Sequence, residues 1–285
     1  MGGGTTATVL GLGAVARRIR GTALVQHADV SGPALELDPA VTADDHALAA
    51  AVAEGAGAAL LVLRGGFVGE PRGLKDAGDR LGHELIVATL ARYRPDDVVL
   101  SEEGKDDPAR LTAERVWIVD PLDGTREFSE PPRDDWAIHV ALWSRGDLVA
   151  GAVALPARGV TLSTAQPPTV ADAPAGPPRV LVSRTRPPVE AQRVAEALGA
   201  ELVAMGSAGA KSMAVILGDG DVYVHSGGQY EWDSAAPVAV ARSAGLHTSR
   251  IDGSALRYNQ PDVSLPDLII CRPELADAVL AAVAG

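Results

Sequence analysis

Apolar residues run almost without interruption from Ala47 to Leu63, behind the polar start Thr42, Asp44 and Asp45, which predicts a helix. Gly55 and Gly57 weaken that helix but let another element pack closely. Leu81, Leu85, Ile86 and Leu90 share one face of a second predicted helix, Gly78 to Arg92. Two short apolar runs follow, Val98 to Leu100 and Val116 to Val119, each emptying into carboxylates. Trp136 to Trp143 and Leu148 to Leu155 read as a strand pair across Ser144 to Asp147. The stretch from Gln166 to Pro178 holds five prolines and reads as a linker, the clearest domain boundary in the chain.

Beyond the linker, strands are predicted at Val180 to Val182, Leu202 to Ala204, Val222 to Val224 and Leu268 to Ile270. Helices are predicted at Val189 to Leu198, Ala210 to Leu217, Ala235 to Ala244 and from Pro273 onward. Such alternation indicates a layered α/β fold with an N-terminal half, 41–165, and a C-terminal half, 179–285. Residues 1–40 read as a leader, disordered or a start-site extension, with Gly2 to Gly4, an arginine cluster at Arg17, Arg18 and Arg20, and the break Ser31-Gly32-Pro33.

Composition narrows the function. Apolar residues make up 47% of the 285, enough for a packed core, but aromatics only 4%, so that core is built from Val, Leu, Ile and Ala. A net charge of −12 argues against general affinity for nucleic-acid backbones. It also means that a phosphorylated substrate needs a metal ion or a local basic pocket. Cys271 is the sole cysteine and can form neither an internal disulfide nor a thiolate metal site. No run reads as the roughly 20 apolar residues of a membrane span, and no signal peptide is recognisable, so the expected location is cytoplasmic.

The strongest chemical signal is Trp117-Ile118-Val119-Asp120-Pro121-Leu122-Asp123-Gly124-Thr125. A buried strand here enters a tight turn that carries two carboxylates three residues apart, with the Leu122 carbonyl able to point alongside them. Three hard oxygens on one turn suit Mg²⁺; the alternative is a turn in which one Asp caps the next helix. Glu102 and Glu103 follow the preceding strand in the same way, as metal-site residues or as a solvated loop. Asp233, in Glu231-Trp232-Asp233-Ser234-Ala235, stands where a helix begins, so it caps the helix, ligates a metal, or both. Gly206-Ser207-Ala208-Gly209-Ala210-Lys211 joins a strand to a helix and reads as an anion site or a tight structural turn. Ser183 and Arg184 end the strand before it and offer a second anion contact. The dinucleotide-like Gly11-Leu12-Gly13-Ala14-Val15-Ala16 lacks a βαβ continuation and is set aside; the six histidines show no metal spacing.

In their order along the chain, these pieces resemble the inositol monophosphatase family of Mg²⁺-dependent phosphatases from Thr42 to the C-terminus. The order is a Glu-Glu pair, then Asp-Pro-Leu-Asp-Gly-Thr, then Trp-Asp followed by Ala-Ala and a helix. The resemblance implies an αβαβα sandwich and two or three Mg²⁺ ions held by Glu102, Asp120, the Leu122 carbonyl, Asp123 and Asp233. It implies further that Asp79, within Lys75-Asp76-Ala77-Gly78-Asp79 where the family usually shows Val-Thr-x-x-Asp, orders the attacking water with Glu102 and Thr125. Gly124, Thr125, Ser183, Arg184, Gly206, Ser207 and Lys211 would contact a phosphorylated small-molecule substrate. Arg126-Glu127-Phe128 is similar to the CysQ-type branch, in an actinobacterial form, and implies hydrolysis of adenosine 3′,5′-bisphosphate to AMP and phosphate. Alternatives on the same site are inositol-1-phosphate or fructose-1,6-bisphosphate hydrolysis, or a nucleotide- or metal-binding regulator without turnover. A homodimer is compatible with the resemblance.

Overall fold

A computed structural model describes residues 34–173 and 175–285. The leader residues 1–33, with the Gly11 to Ala16 fingerprint, lie outside the described residues. In chain order the first half contains α1 (Pro39–Thr42), α2 (Asp45–Gly66), α3 (Pro71–Tyr93), β1 (Val98–Ser101), β2 (Arg115–Asp123), α4 (Thr125–Phe128), β3 (Ala137–Ser144), β4 (Asp147–Leu155) and β5 (Val160–Ser163). The second contains β6 (Arg179–Ser183), α5 (Val189–Leu198), β7 (Glu201–Met205), α6 (Ala208–Leu217), β8 (Val222–Ser226), α7 (Glu231–Ser243), β9 (His247–Ser249), β10 (Asp267–Cys271) and α8 (Ala276–Ala284).

These elements stack as five layers, the αβαβα sandwich that the resemblance implied. Helices α2 and α3 cover one face of a five-stranded sheet ordered β1-β2-β3-β4-β5. Helices α6 and α7 lie between its other face and a second sheet, β7-β6-β8-β10-β9. Helices α5 and α8 close the outer face of the second sheet. The central apolar cluster includes Ile118 and Val153 of the first sheet, Met213 and Val238 of the middle helices, and Tyr223 and Ile270 of the second sheet. One core therefore crosses the proline-rich segment. That segment is itself tied down at Ala171, whose N–H donates to the Ile216 carbonyl and whose carbonyl accepts from Arg272.

Strands β1 and β2 are parallel, with Ser101 paired to Val119, so the residues that follow them emerge side by side. The other pairs of the first sheet are antiparallel. In the second sheet β7, β6 and β8 are parallel, and α6, which joins β7 to β8, crosses on the inner face. The N-termini of α6 and α7 thereby meet the end of β2.

Four sequence expectations are corrected. Residues 35–40, assigned to the leader, belong to the packed fold. Leu35 is 3% exposed, its N–H donates to Thr89 Oγ1 at 2.9 Å, and the Leu37 N–H donates to the Tyr93 hydroxyl at 2.9 Å. The Leu35 side chain fills the notch left by Gly55, where a Cβ would stand 2.4 Å from Leu35 Cδ1. Helix α3 begins at Pro71 rather than Gly78, because proline suits a first helical position. Gly78 and Gly82 lie on its buried face, where a Cβ at Gly82 would stand 2.8 Å from the Pro121 carbonyl oxygen. Helix α7 begins at Glu231, four residues before the predicted start. Helix α2, against the reading of no span-length apolar run, is long and apolar enough to cross a membrane, but over half of its apolar window is buried in the fold.

The Leu35 contact is testable. Leu35→Ala should cost about 2–5 kcal/mol, as truncations of a buried leucine do. Chemical denaturation measures it, and a change below about 0.5 kcal/mol would show that residues 35–40 add nothing to the core.

Candidate active site

The site forms where β2 stops being regular. Its pairing with β3 shifts register between Asp120, paired to His139, and Asp123, paired to Ala137. Pro121 removes one ladder donor, and Gly124 takes the left-handed conformation at φ 82° that ends the strand and opens α4. Asp120 Oδ1 accepts the Leu122 N–H at 3.0 Å, which closes the turn around Pro121. On α7, Asp233 is the third helical residue rather than the cap. Tyr230 is the cap, and its N–H donates to Asp233 Oδ2 at 2.8 Å. Asp120, Asp123 and Asp233 each present an oxygen, all within 4.8 Å of one another.

Glu102 follows β1 and donates its N–H to the Val119 carbonyl, which sets it beside the turn. Its carboxyl hydrogen-bonds Asp120. Asp79, on the inner side of α3, accepts the Thr125 hydroxyl at Oδ1 (3.3 Å). That hydroxyl also lies 3.1 Å from the Leu122 carbonyl, whose second lone pair remains for another partner. The metal and catalytic candidates drawn from sequence are thus gathered around one point.

Their electrostatics are those of crowded anions. Burial, then the Glu102 charge, raises Asp120 well above the usual carboxylate range. Desolvation of the carboxyl end, then Asp233, pushes Glu102 up to about 7. Burial lifts Asp79 to about 6, helped by Glu103, and lifts Asp233 to about 6, helped by Asp123. Asp123 is the exception. Burial would raise it, but His139, the Ser207 hydroxyl and the Gly209 N–H together hold it at about 2. A set of hard oxygen donors that resist simultaneous ionisation fits a divalent cation, which supplies the missing positive charge.

The substrate candidates beyond the turn are placed differently from expectation. The N-terminus of α6 is filled by the protein's own carboxylates. Asp123 accepts from Ser207 Oγ (2.5 Å), Gly209 N–H (2.6 Å) and Ala208 N–H (3.1 Å), while the Gly206 N–H donates to Asp135 (2.6 Å). Ser207 adopts a positive φ of 51°, a strained backbone that lets its hydroxyl reach Asp123 and also accept the Ala210 N–H. Lys211 is buried, and its ammonium donates to the Ser207 (2.6 Å), Gly206 (3.1 Å) and Met205 (3.5 Å) carbonyls. Burial lowers it to about 8, partly offset by Asp123. All three of its donors close the turn, so Gly206, Ser207 and Lys211, expected to contact phosphate, are each engaged by the protein's own groups. Arg184 is paired with Glu127 (2.6 Å) and Glu130 (3.1 Å), and Ser183 Oγ accepts the Arg186 N–H (3.3 Å).

Sequence reasoning passed over His139, whose ring is buried against Asp123 at 3.2 Å. The available signal was a lone polar residue in the apolar strand Ala137 to Leu142, opposite Asp120 in the hairpin. Asp135, which holds the Gly206 N–H, carried no such signal.

Five alternating layers with a carboxylate cluster at the strand ends define a metal-dependent phosphatase. The chain belongs to the inositol monophosphatase family, whose model matches residues 47–284. It is 54% identical over 223 residues to the 3′-phosphoadenosine 5′-phosphate phosphatase of Mycobacterium tuberculosis strain CDC 1551, covering 75% of this chain and 84% of the relative. The Mycobacterium leprae protein of the same name is 52% identical over 250 residues, covering 83% and 92%. Among solved structures, CysQ from Bacteroides thetaiotaomicron superposes with a TM-score of 0.67 at 28% identity, over 79% of this chain and 96% of that one.

A pH-dependent response to cations follows from the raised carboxylates. Asp79, Asp233 and Glu102 titrate near 6, 6 and 7, above their ordinary 3.8, 3.8 and 4.5, so without cation their stabilising effect is present at low pH and is lost as pH rises to about 7. Cation binding needs the ionised forms and so strengthens over the same window. MgCl₂ should therefore raise the melting temperature far more at pH 8 than at pH 5. An equal rise at both would contradict the assignment.

Proposed function

We propose that the protein is a Mg²⁺-dependent phosphomonoesterase that removes the 3′-phosphate of adenosine 3′,5′-bisphosphate, yielding AMP and phosphate. The observation that carries the reading is the convergence of Asp120, Asp123 and Asp233 within 4.8 Å at the end of β2. Relatives above half identity bearing the name of that phosphatase support the substrate. Asp120, Asp123, Asp233, Glu102 and the Leu122 carbonyl would hold two or three Mg²⁺ ions. When bound, Mg²⁺ neutralises phosphate charge as a Lewis acid and acidifies a water.

The chain's own groups supply placement and proton handling. The Gly124 and Thr125 N–H groups open α4, where first-turn donors lack helical partners and face the phosphate oxygens. Thr125 fixes the attacking water through its hydroxyl, and Asp79, with a pKa near 6, takes up the proton that the water loses. The bond from phosphorus to the ribose O3′ breaks on the opposite side, and the O3′ takes a proton from a solvent water and leaves as an alcohol. Tyr230, 46% exposed and stacked on Trp232 at 4.9 Å beside Asp233, offers an aromatic surface for the adenine. With Lys211 and Arg184 engaged, the second phosphate falls to Arg186, which is exposed near His225 and has no ion pair among the described residues. The enzyme works in the cytoplasm, in keeping with a single buried, unpaired Cys271, and its substrate ties it to sulfate assimilation.

Phosphate release from adenosine 3′,5′-bisphosphate, inositol-1-phosphate and fructose-1,6-bisphosphate, with Mg²⁺ and with EDTA, tests the reading. The nucleotide should give the highest kcat/KM, and EDTA should abolish it. Faster release from either sugar phosphate, or release insensitive to EDTA, would overturn it.

Two substitutions refine the site. Asp233→Asn keeps an oxygen to accept the Tyr230 N–H but removes the charge, so it should fold normally and lose more than tenfold in kcat/KM, at least about 1.4 kcal/mol. Arg186→Ala should lower kcat/KM about tenfold for the bisphosphate while leaving 3′-AMP nearly unchanged, as loss of one charge-assisted phosphate contact does. Equal losses on both substrates would remove Arg186 from the second-phosphate site.

A further inference from the structure

The strand Ala137 to Leu142 is apolar on both faces except at His139, whose side chain has no solvent exposure. A wholly buried imidazole is costly to keep unless both nitrogens find partners. Nδ1 donates to the Trp232 carbonyl at 3.0 Å, immediately before Asp233 on α7. Nε2 makes no aligned hydrogen bond and lies 3.2 Å from Asp123 Oδ2, close enough for an ion pair when the ring is protonated. Its Cα is register partner to Asp120 on β2. One ring thus touches the three chain segments that deliver the three clustered carboxylates: the strand of Asp120, the side chain of Asp123 and the peptide leading into Asp233.

The surroundings are shaped to the ring. Gly209, in the first turn of α6, stands so close that a Cβ there would lie 2.1 Å from His139 Nε2. That glycine also donates its N–H to Asp123 Oδ2 at 2.6 Å, so ring and helix grip the same carboxylate oxygen.

We propose that His139 is a positioning residue that sets the separation of Asp123 and Asp233, and thereby the affinity of the site for its divalent cation. The proposal rests on the reading that Asp120, Asp123 and Asp233 hold that cation. Removing the ring frees the Asp123 oxygen to turn fully toward the α6 N-terminus and releases the first turn of α7, so the oxygens no longer meet at one distance. Groups that orient ligands in this way typically govern about 10- to 100-fold in metal affinity.

Three substitutions separate the two contacts. His139→Leu removes both, His139→Asn keeps a donor near the Trp232 carbonyl, and His139→Gln carries a donor toward Asp123. Calorimetric titration of the full chain with MgCl₂, and the Mg²⁺-induced rise in melting temperature, read affinity without turnover. His139→Leu should weaken Mg²⁺ binding about 10- to 100-fold, with the two amides intermediate. In assays the defect should appear as a raised Mg²⁺ half-saturation, larger than any fall in kcat at saturating Mg²⁺. If His139→Leu does not fold, the amide variants decide. Folded variants that all bind Mg²⁺ within twofold of the parent would overturn the proposal, as would a loss confined to kcat. A parent chain that itself binds no Mg²⁺ would instead overturn the cation reading beneath it.

Discussion

The Asp123 carboxylate is the junction on which the functional geometry depends. It belongs to the turn that ends β2 in the first sheet, yet its partners are the α6 N-terminus and the His139 ring. A helix N-terminus favours an anion, and a fully buried carboxylate needs such donors to remain charged. The arrangement satisfies both demands and locks the first sheet to the middle helix layer at one point. Lys211 completes the lock from the other side by holding the carbonyls of the turn that precedes α6.

The remaining acids stand in the opposite condition. Asp120, Glu102, Asp233 and Asp79 are each raised, first by desolvation and then by a neighbouring carboxylate (Glu102 for Asp120, Asp233 for Glu102, Asp123 for Asp233, Glu103 for Asp79), while Asp123 alone is held low. A fold that gathers carboxylates without matching them with arginines leaves a net demand for positive charge. Elsewhere the same chain pairs its buried acids closely, as Asp221 with Arg179 and Arg272 shows. The contrast between a neutralised network and an unneutralised one marks the site within a protein that is acidic throughout.

Much of the fold was legible because its signals were local. Helix α5 matches its predicted span, and the hairpin of β3 and β4 follows the apolar alternation closely. The short strands β5 and β9 were missed because three or four residues carry too little periodicity, and the N-terminal turns of α3 because Asp76, Gly78 and Asp79 obscure its apolar face. At the site, the metal candidates were legible as a strand emptying into acids. At the α6 turn, a glycine-rich strand-to-helix junction with a lysine suggests an external anion, and only the tertiary structure shows that Asp123 and Asp135 accept from it. His139 was overlooked for the same reason: its partners lie on three separate elements.

The end of β2 and the start of α7 should bind divalent cations directly through Asp120, Asp123 and Asp233. Anomalous diffraction from crystals soaked in MnCl₂ tests it, because Mn²⁺ accepts the same oxygen ligands as Mg²⁺. A strong anomalous peak is expected at bonding distance, roughly 2.0–2.3 Å, from oxygens of Asp120, Asp123 and Asp233. A map with no peak there, or with peaks only at surface carboxylates, would contradict it.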